Sequence, residues 1–194
     1  MQQRNAEAQG LVDYLNASPT AYHSVAETCR QLRSAGFTCL EERQPWTIAP
    51  GGRYFFTRDA ATVVAFAVGR SVQPGAGFIV VGAHTDSPCP KVKPVTTRQT
   101  GTKAGYLSVG VEPYGGGIWA TWFDRDLGVA GRVLVRRGDG SLSHHLVHIK
   151  RPILRTPSLA IHLNREVNSD GFKVNVQSHL VRPQSIQTCS GARH

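Results

Sequence analysis

At 194 residues, with 40% hydrophobic and 18% charged side chains, the chain has the composition of one ordinary globular domain, or one and a fraction, and is long enough to bury a core. Lys and Arg number 22 against 13 Asp and Glu, a net charge of +9, and the excess lies beyond residue 50, since residues 1–50 hold 4 basic and 5 acidic side chains. The basic residues are scattered with no run of five or six, which argues against a nucleic-acid partner, and no stretch is long and apolar enough to span a membrane.

The N-terminal stretch from about Ala6 to Asn16 reads as a helix with Leu11, Val12 and Leu15 on an apolar edge. Ser18-Pro19 interrupts it. A second helix follows, with Tyr22, Val25, Ala26, Cys29 and Leu32 at helical spacing and Gly36 as a terminator able to adopt positive φ. From Phe37 the period changes. Arg53–Arg58 and Thr62–Val68 read as strands joined by a polar turn around Asp59, the second apolar enough to be covered on both faces. After the Pro74-Gly75 turn, Phe78-Ile79-Val80-Val81 reads as a short buried strand. Helices followed by apolar strands indicate an α/β architecture. Beyond Pro94 the texture becomes polar and basic from Thr96 to Lys103. Short alternating segments then follow at Tyr106–Val111, Ile118–Phe123, Gly131–Arg136 and, after a Gly138-Asp139-Gly140 turn, Leu142–Ile149, which point to a mostly β second region.

The chemistry gathers where the Phe78 run ends, at Gly82-Ala83-His84-Thr85-Asp86-Ser87-Pro88. A strand end holds a group rigidly while the loop exposes it. His84 and Asp86 stand two apart, so both leave one face if strand pairing persists. A neutral imidazole there binds a metal, and a nearby carboxylate orients it. The bland alternative is a strand end with a stray histidine. Gly115-Gly116-Gly117 lacks the Lys-Ser/Thr of a phosphate loop and reads as a bend beside Trp119 and Trp122. His144, His145 and His148 gather into a metal site only if a turn collects them, and a solvated strand is the simpler reading. Asp124-Arg125-Asp126 offers either paired carboxylates for acid/base work or an ion pair with Arg125. His162, within the apolar stretch Leu159-Ala160-Ile161-His162-Leu163, reads on its own as a core histidine. The cysteines Cys29, Cys39, Cys89 and Cys189 form no C-x-x-C pair, and the N-terminus lacks an apolar signal core, so a reduced, cytoplasmic protein is expected.

The order of residues in Gly82-Ala83-His84-Thr85-Asp86-Ser87-Pro88-Cys89 resembles the first metal-ligand motif of the aspartyl aminopeptidases, a family of two-metal exopeptidases. Tyr54-Phe55 to Thr57-Arg58, Ala65-Phe66-Ala67-Val68-Gly69, Gly110 through Asp126, Arg151-Pro152-Ile153-Leu154 and Leu159–Leu163 follow in family order. The likeness runs from about the first helix to about Leu180. It implies the N-terminal part of an α/β peptidase domain over residues 1–95, part of an inserted, mostly β dimerisation domain over 96–181, and a divergent tail over 182–194. It implies zinc as the cofactor, His84 as a metal ligand, Asp86 as the catalytic carboxylate supporting it, and His162 as a substrate-binding group that reaches into a neighbouring subunit. The partners implied are a peptide with an acidic N-terminus and further copies of the chain in a homo-oligomer. In that family the bridging Asp, a Glu-Glu pair, another Asp and a final His come from the second half of a longer chain, and none can be located here.

Two functions of different class follow from these readings. One is a zinc aminopeptidase that removes N-terminal Asp or Glu, with this chain inactive alone for want of most ligands and the base. The other is a non-catalytic interaction module that assembles with complete subunits.

Overall fold

The structure, a computed structural model, describes residues 2–95, 102–103, 106–180 and 184–185, so much of the Thr96–Lys103 boundary stretch and most of the 182–194 tail lie outside the described residues. Contacts divide the chain into two units, Met1–Asp86 with Ala130–Val147, and Ser87–Val129 with His148–His194.

The first unit opens with helix α1, Gln2–Ala17, whose Leu11, Val12 and Leu15 are exposed rather than packed. It is tied to the next helix instead by the Tyr14 hydroxyl, 2.7 Å from Ser24 Oγ and 3.0 Å from Thr28 Oγ1. Helix α2, Ala21–Ser34, starts at Thr20, an N-cap whose hydroxyl accepts from the His23 amide. It ends as expected, with Gly36 at φ +81°, the Gly36 amide donating to the Arg33 carbonyl and the Phe37 amide to the Leu32 carbonyl. That double closure satisfies carbonyls the helix would otherwise strand. Strand β1, Thr38–Cys39, runs parallel to β2, Arg53–Arg58, which forms an antiparallel hairpin with β3, Thr62–Ala67.

The hairpin turn holds Asp59 and Ala60 at φ +51°, and Arg132 Nη1 reaches Asp59 Oδ1 at 3.0 Å. Pleating sends Phe55, Ala65 and Val63 to one face, where Val25 and Cys29 of α2 bury Phe55 completely. The opposite face carries Tyr54, Phe56, Val64 and Phe66. Trp46 lies on it, 5.1 Å from the Phe56 ring and 6.3 Å from Phe66. Among the described residues no helix covers that side, and Val64 stays exposed, so β3 is not a strand covered on both faces. A Cβ at Gly52 would fall 2.4 Å from the Tyr54 hydroxyl, so any larger residue there has to displace that ring.

The Phe78 run departs from expectation. Phe78 is 93% and Ile79 100% exposed, and residues 78–81 belong to no strand. Sheet formation needs a neighbour to take up backbone donors and acceptors, and none of the described residues supplies one.

In the second unit β4, Cys89–Val92, pairs antiparallel with the strand Val111–Tyr114. Between them in the chain come β5, Thr102–Lys103, and β6, Tyr106–Ser108, so Val111–Tyr114 is β7. Gly115 at φ +76° then bends the chain, and Gly117 packs close to Pro88 and Trp119, as the glycine run suggested. Trp119–Trp122 is a 3-10 turn, not the strand its alternation indicated. The long strands β8, Leu127–Arg136, and β9, Leu142–Arg155, contribute residues 130–147 to the first unit. Two short helices, α3 at Val167–Asp170 and α4 at Val176–His179, precede β10, Gln184–Ser185, and the sheet order is β5-β6-β10-β9-β8. Ser108, Val111, Leu154, Thr156 and Leu180 are buried. The chain is thus mixed α/β, with helices first and a strand-rich remainder.

Candidate functional site

His84 and Asp86 meet, though not across a strand face. The backbone around them has no regular structure, and its local curl brings His84 Nδ1 to 2.8 Å from Asp86 Oδ1 and 2.9 Å from the Asp86 carbonyl oxygen. Both neighbours are acceptors, so Nδ1 carries the proton and donates to them. The lone pair is then on Nε2, the nitrogen a metal would take. The imidazole is exposed and the carboxylate half-buried. This is the arrangement of a ligand histidine held in one tautomer by a supporting carboxylate. Zinc takes four ligands, and among the described residues no group of three or more His, Cys, Asp or Glu side chains converges. The pair therefore fits one corner of a metal centre.

The other candidates resolve in their own units. His144, His145 and His148 lie along β9, where His145 Nε2 is 3.2 Å from Ser143 Oγ, and they form no metal group. The Asp124–Asp126 segment does not pair through Arg125, whose Nη1 donates to the Thr121 carbonyl at 3.4 Å. Asp126 faces Arg155 at 3.5 Å instead. Asp124 accepts from the Ser158 amide at 3.1 Å and from the Ser158 hydroxyl. Those two bonds hold the Asp124 carboxyl below its usual range. His162 is exposed on a turn, in which the Leu163 and Asn164 amides donate to the Ala160 carbonyl at 2.8 and 3.2 Å. It is not a core histidine; Leu159, Ile161 and Leu163 around it are exposed as well.

Reading the sequence missed the Asp124–Ser158 contact, whose partners are 34 residues apart and share no local spacing. It also missed the packing of Phe123 edge-on against Phe172, with ring centres 4.9 Å apart, and of His179 stacked on Phe172 at 6.2 Å. A shallow hollow of about 210 Å³ lies among these groups, lined by Phe123, Asp124, Ser158, Asn164, Val167 and Phe172.

Set beside known proteins, this arrangement has a clear kinship. The chain belongs to the M18 peptidases, the family described as aminopeptidase I zinc metalloprotease, which matches residues 14–192. A probable aspartyl aminopeptidase of Ricinus communis is 59% identical over 174 residues, covering 88% of this chain and 35% of its own length. A solved structure of a complex of Ape4 and Nbr1 matches with a TM-score of 0.85 at 45% identity, covering 92% of this chain and 34% of that one. The S. cerevisiae mApe1 dodecamer matches with a TM-score of 0.72 at 29% identity, over 92% of this chain and 47% of that one. The chain thus spans about a third of the curated relative it matches.

Proposed function

We propose that this chain carries part of the machinery of a zinc aminopeptidase that releases acidic N-terminal residues from peptides. The supporting observation is the His84–Asp86 pair, which presents Nε2 of a tautomer-locked imidazole inside a sequence that matches a zinc-metalloprotease family. Zinc, when bound, supplies a Lewis acid and a nucleophilic water near neutral pH. His84 contributes one ligand and Asp86 fixes its proton. Exposed His162 binds substrate in a neighbouring subunit, a role its place on a turn makes sterically accessible. The family resemblance assigns the other ligands and the base to a longer chain, and on that reading His84 and Asp86 alone are not expected to turn substrate over. We read residues 1–95 as part of the peptidase domain, 96–181 as part of the inserted dimerisation domain and 182–194 as a divergent tail.

Assembly with further copies of the chain rests on the dodecameric relative and on the exposed Val133, Leu134, Leu142 and Leu146 of β8 and β9, which also favour the second reading, a non-catalytic assembly module. Size-exclusion chromatography with light scattering tests it, and a monomer at every concentration would count against both. The unbridged thiols of Cys29 and Cys39 support a cytoplasmic location, which cell fractionation checks. The decisive assay offers an acidic N-terminal dipeptide analogue and zinc to this chain and to a longer relative. The relative turns it over and loses activity when the histidine matching His84 becomes Ala, while this chain shows none. Turnover by this chain that disappears in His84→Ala would overturn the inactivity. A relative unaffected by the histidine change would overturn the ligand role.

A further inference from the structure

The His162 turn belongs to a loop whose two ends return to the same pair of residues. At its start, Ser158 is bound through both its amide and its hydroxyl by the Asp124 carboxylate. Toward its end, Phe172 packs edge-on against Phe123, the residue before Asp124. The anchor is itself fixed. Asp124 lies at φ +54°, a conformation that Asp tolerates better than most residues. Its amide donates to the carbonyl of buried Thr156 at 2.9 Å, and its carbonyl accepts from Arg155 Nη2 at 3.2 Å. Among the described residues none of these groups belongs to a cluster that could hold a metal. Between Ser158 and Phe172 the chain holds a hydrogen-bonded turn at 160–164 and the one-turn helix α3, while Leu159, Ile161 and Leu163 are exposed and add little packing to order it. Tying both ends to one point shortens the span over which its backbone can wander.

We propose that Asp124 is a positioning residue for His162, and that with Phe123 it clamps the loop 158–172 so that the histidine is presented in one place. The proposal rests on the substrate-binding reading of His162. A donor held in place before substrate arrives needs no ordering at the moment of reaction, which is where such groups gain their effect. The depressed Asp124 carboxyl agrees, since an ionised carboxylate accepts from both Ser158 donors at once.

Hydrogen–deuterium exchange on this chain tests the clamp apart from catalysis. Asp124→Gly keeps the positive-φ backbone and removes the carboxylate, Asp124→Asn keeps an oxygen for the Ser158 amide, and Ser158→Ala removes the hydroxyl bond alone. Exchange at the Leu163 and Asn164 amides rises at least about tenfold in Asp124→Gly, which loses two charge-assisted hydrogen bonds, and much less in Asp124→Asn. The Val111 and Leu154 amides stay protected. No change at Leu163 and Asn164 in Asp124→Gly overturns the proposal. If Val111 and Leu154 also open, Ser158→Ala decides: faster exchange at Leu163 and Asn164 supports the clamp, and unchanged exchange overturns it.

In a longer, active relative, the matching Asp→Gly change lowers kcat with KM little altered, and Asn at that position restores most of the loss. An unaltered kcat there, while the change matching His162→Ala lowers it, overturns the positioning role. If the His162 change is itself silent, the substrate-binding reading fails, and the exchange data alone decide the clamp.

Discussion

Thr62–Ala67 and Phe78–Val81 are both runs of β-branched and aromatic residues, separated by about ten positions. The first pairs along its whole length with Arg53–Arg58, and Val63 on one of its faces packs against the α2 cluster. The second pairs with nothing among the described residues and leaves Phe78 and Ile79 almost fully exposed. Composition is shared, so composition does not separate them. What separates them is a partner strand to accept the backbone bonds and a helix to cover one face. The β2–β3 hairpin has both close by in the chain, between Ala21 and Ala67, whereas the Phe78 run would have to draw them from elsewhere.

If that contrast is right, the largest effect comes from emptying the packed side. Phe55→Ala removes a fully buried ring from between α2 and the hairpin and is expected to cost about 3–5 kcal/mol, read from urea denaturation. A loss below about 1 kcal/mol would mean that the cluster contributes little and the contrast is false.

A middle-sized effect sharpens the role of the helix. Thr20→Ala removes the N-cap of α2 and should cost about 1 kcal/mol, with the loss of helical circular dichroism confined to the first turn. An unchanged midpoint would show that the cap adds nothing to what the packing and hydrogen bonds of α2 already supply.

Smaller again is a charge contribution on the outer face of α2. Glu27 is bound by Arg30 and then Gln31, which lower its pKa from 4.5 to about 2. A carboxyl whose pKa is lowered on folding stabilises the fold above its unfolded value, so the contribution is complete above pH 4.5 and fades as pH falls toward 2. Arg30 is largely exposed, and an i,i+3 pair in solvent is worth only about 0.5 kcal/mol, less than the shift alone would suggest. Glu27→Gln should therefore match the native midpoint at pH 2 and fall slightly below it at pH 6. A gap that widens toward acid would reverse the assignment.

The smallest stability effect belongs to the bare run. Ile79→Ser with Val81→Ser should shift the midpoint by less than about 0.5 kcal/mol while reducing self-association in light scattering. A loss as large as that of Phe55→Ala would show that the run is packed in solution.

Much of the first unit was legible because its signals are local. Gly36 marks the end of α2, and the turn at Asp59 falls where the polarity breaks. His84 and Asp86 were found as a pair because they are two residues apart, although a curl of the loop, not a strand face, joins them. Long-range features were not legible. Phe78–Val81 looks like a buried strand because apolar residues say that burial is needed and not that a cover is present. Asp124 and Ser158 meet only through the fold. Trp119–Trp122 was misread because its alternation fits a strand, while Gly115 and Gly117 turn the backbone beforehand.

Cys29, in the cluster with Phe55, has a consequence of another kind. Burial raises its thiol pKa, and the thiolate is the form that reacts with alkylating reagents and oxidants. Cys39, two residues beyond Phe37, is exposed. A reagent added to the folded chain should therefore consume Cys39 first and reach Cys29 only when α2 lifts from the hairpin. The interval between the two modifications is a clock for that opening, read by mass spectrometry without any label engineered into the chain. It also sets the order in which oxidative damage would accumulate, with the outer thiol taken while the core remains intact.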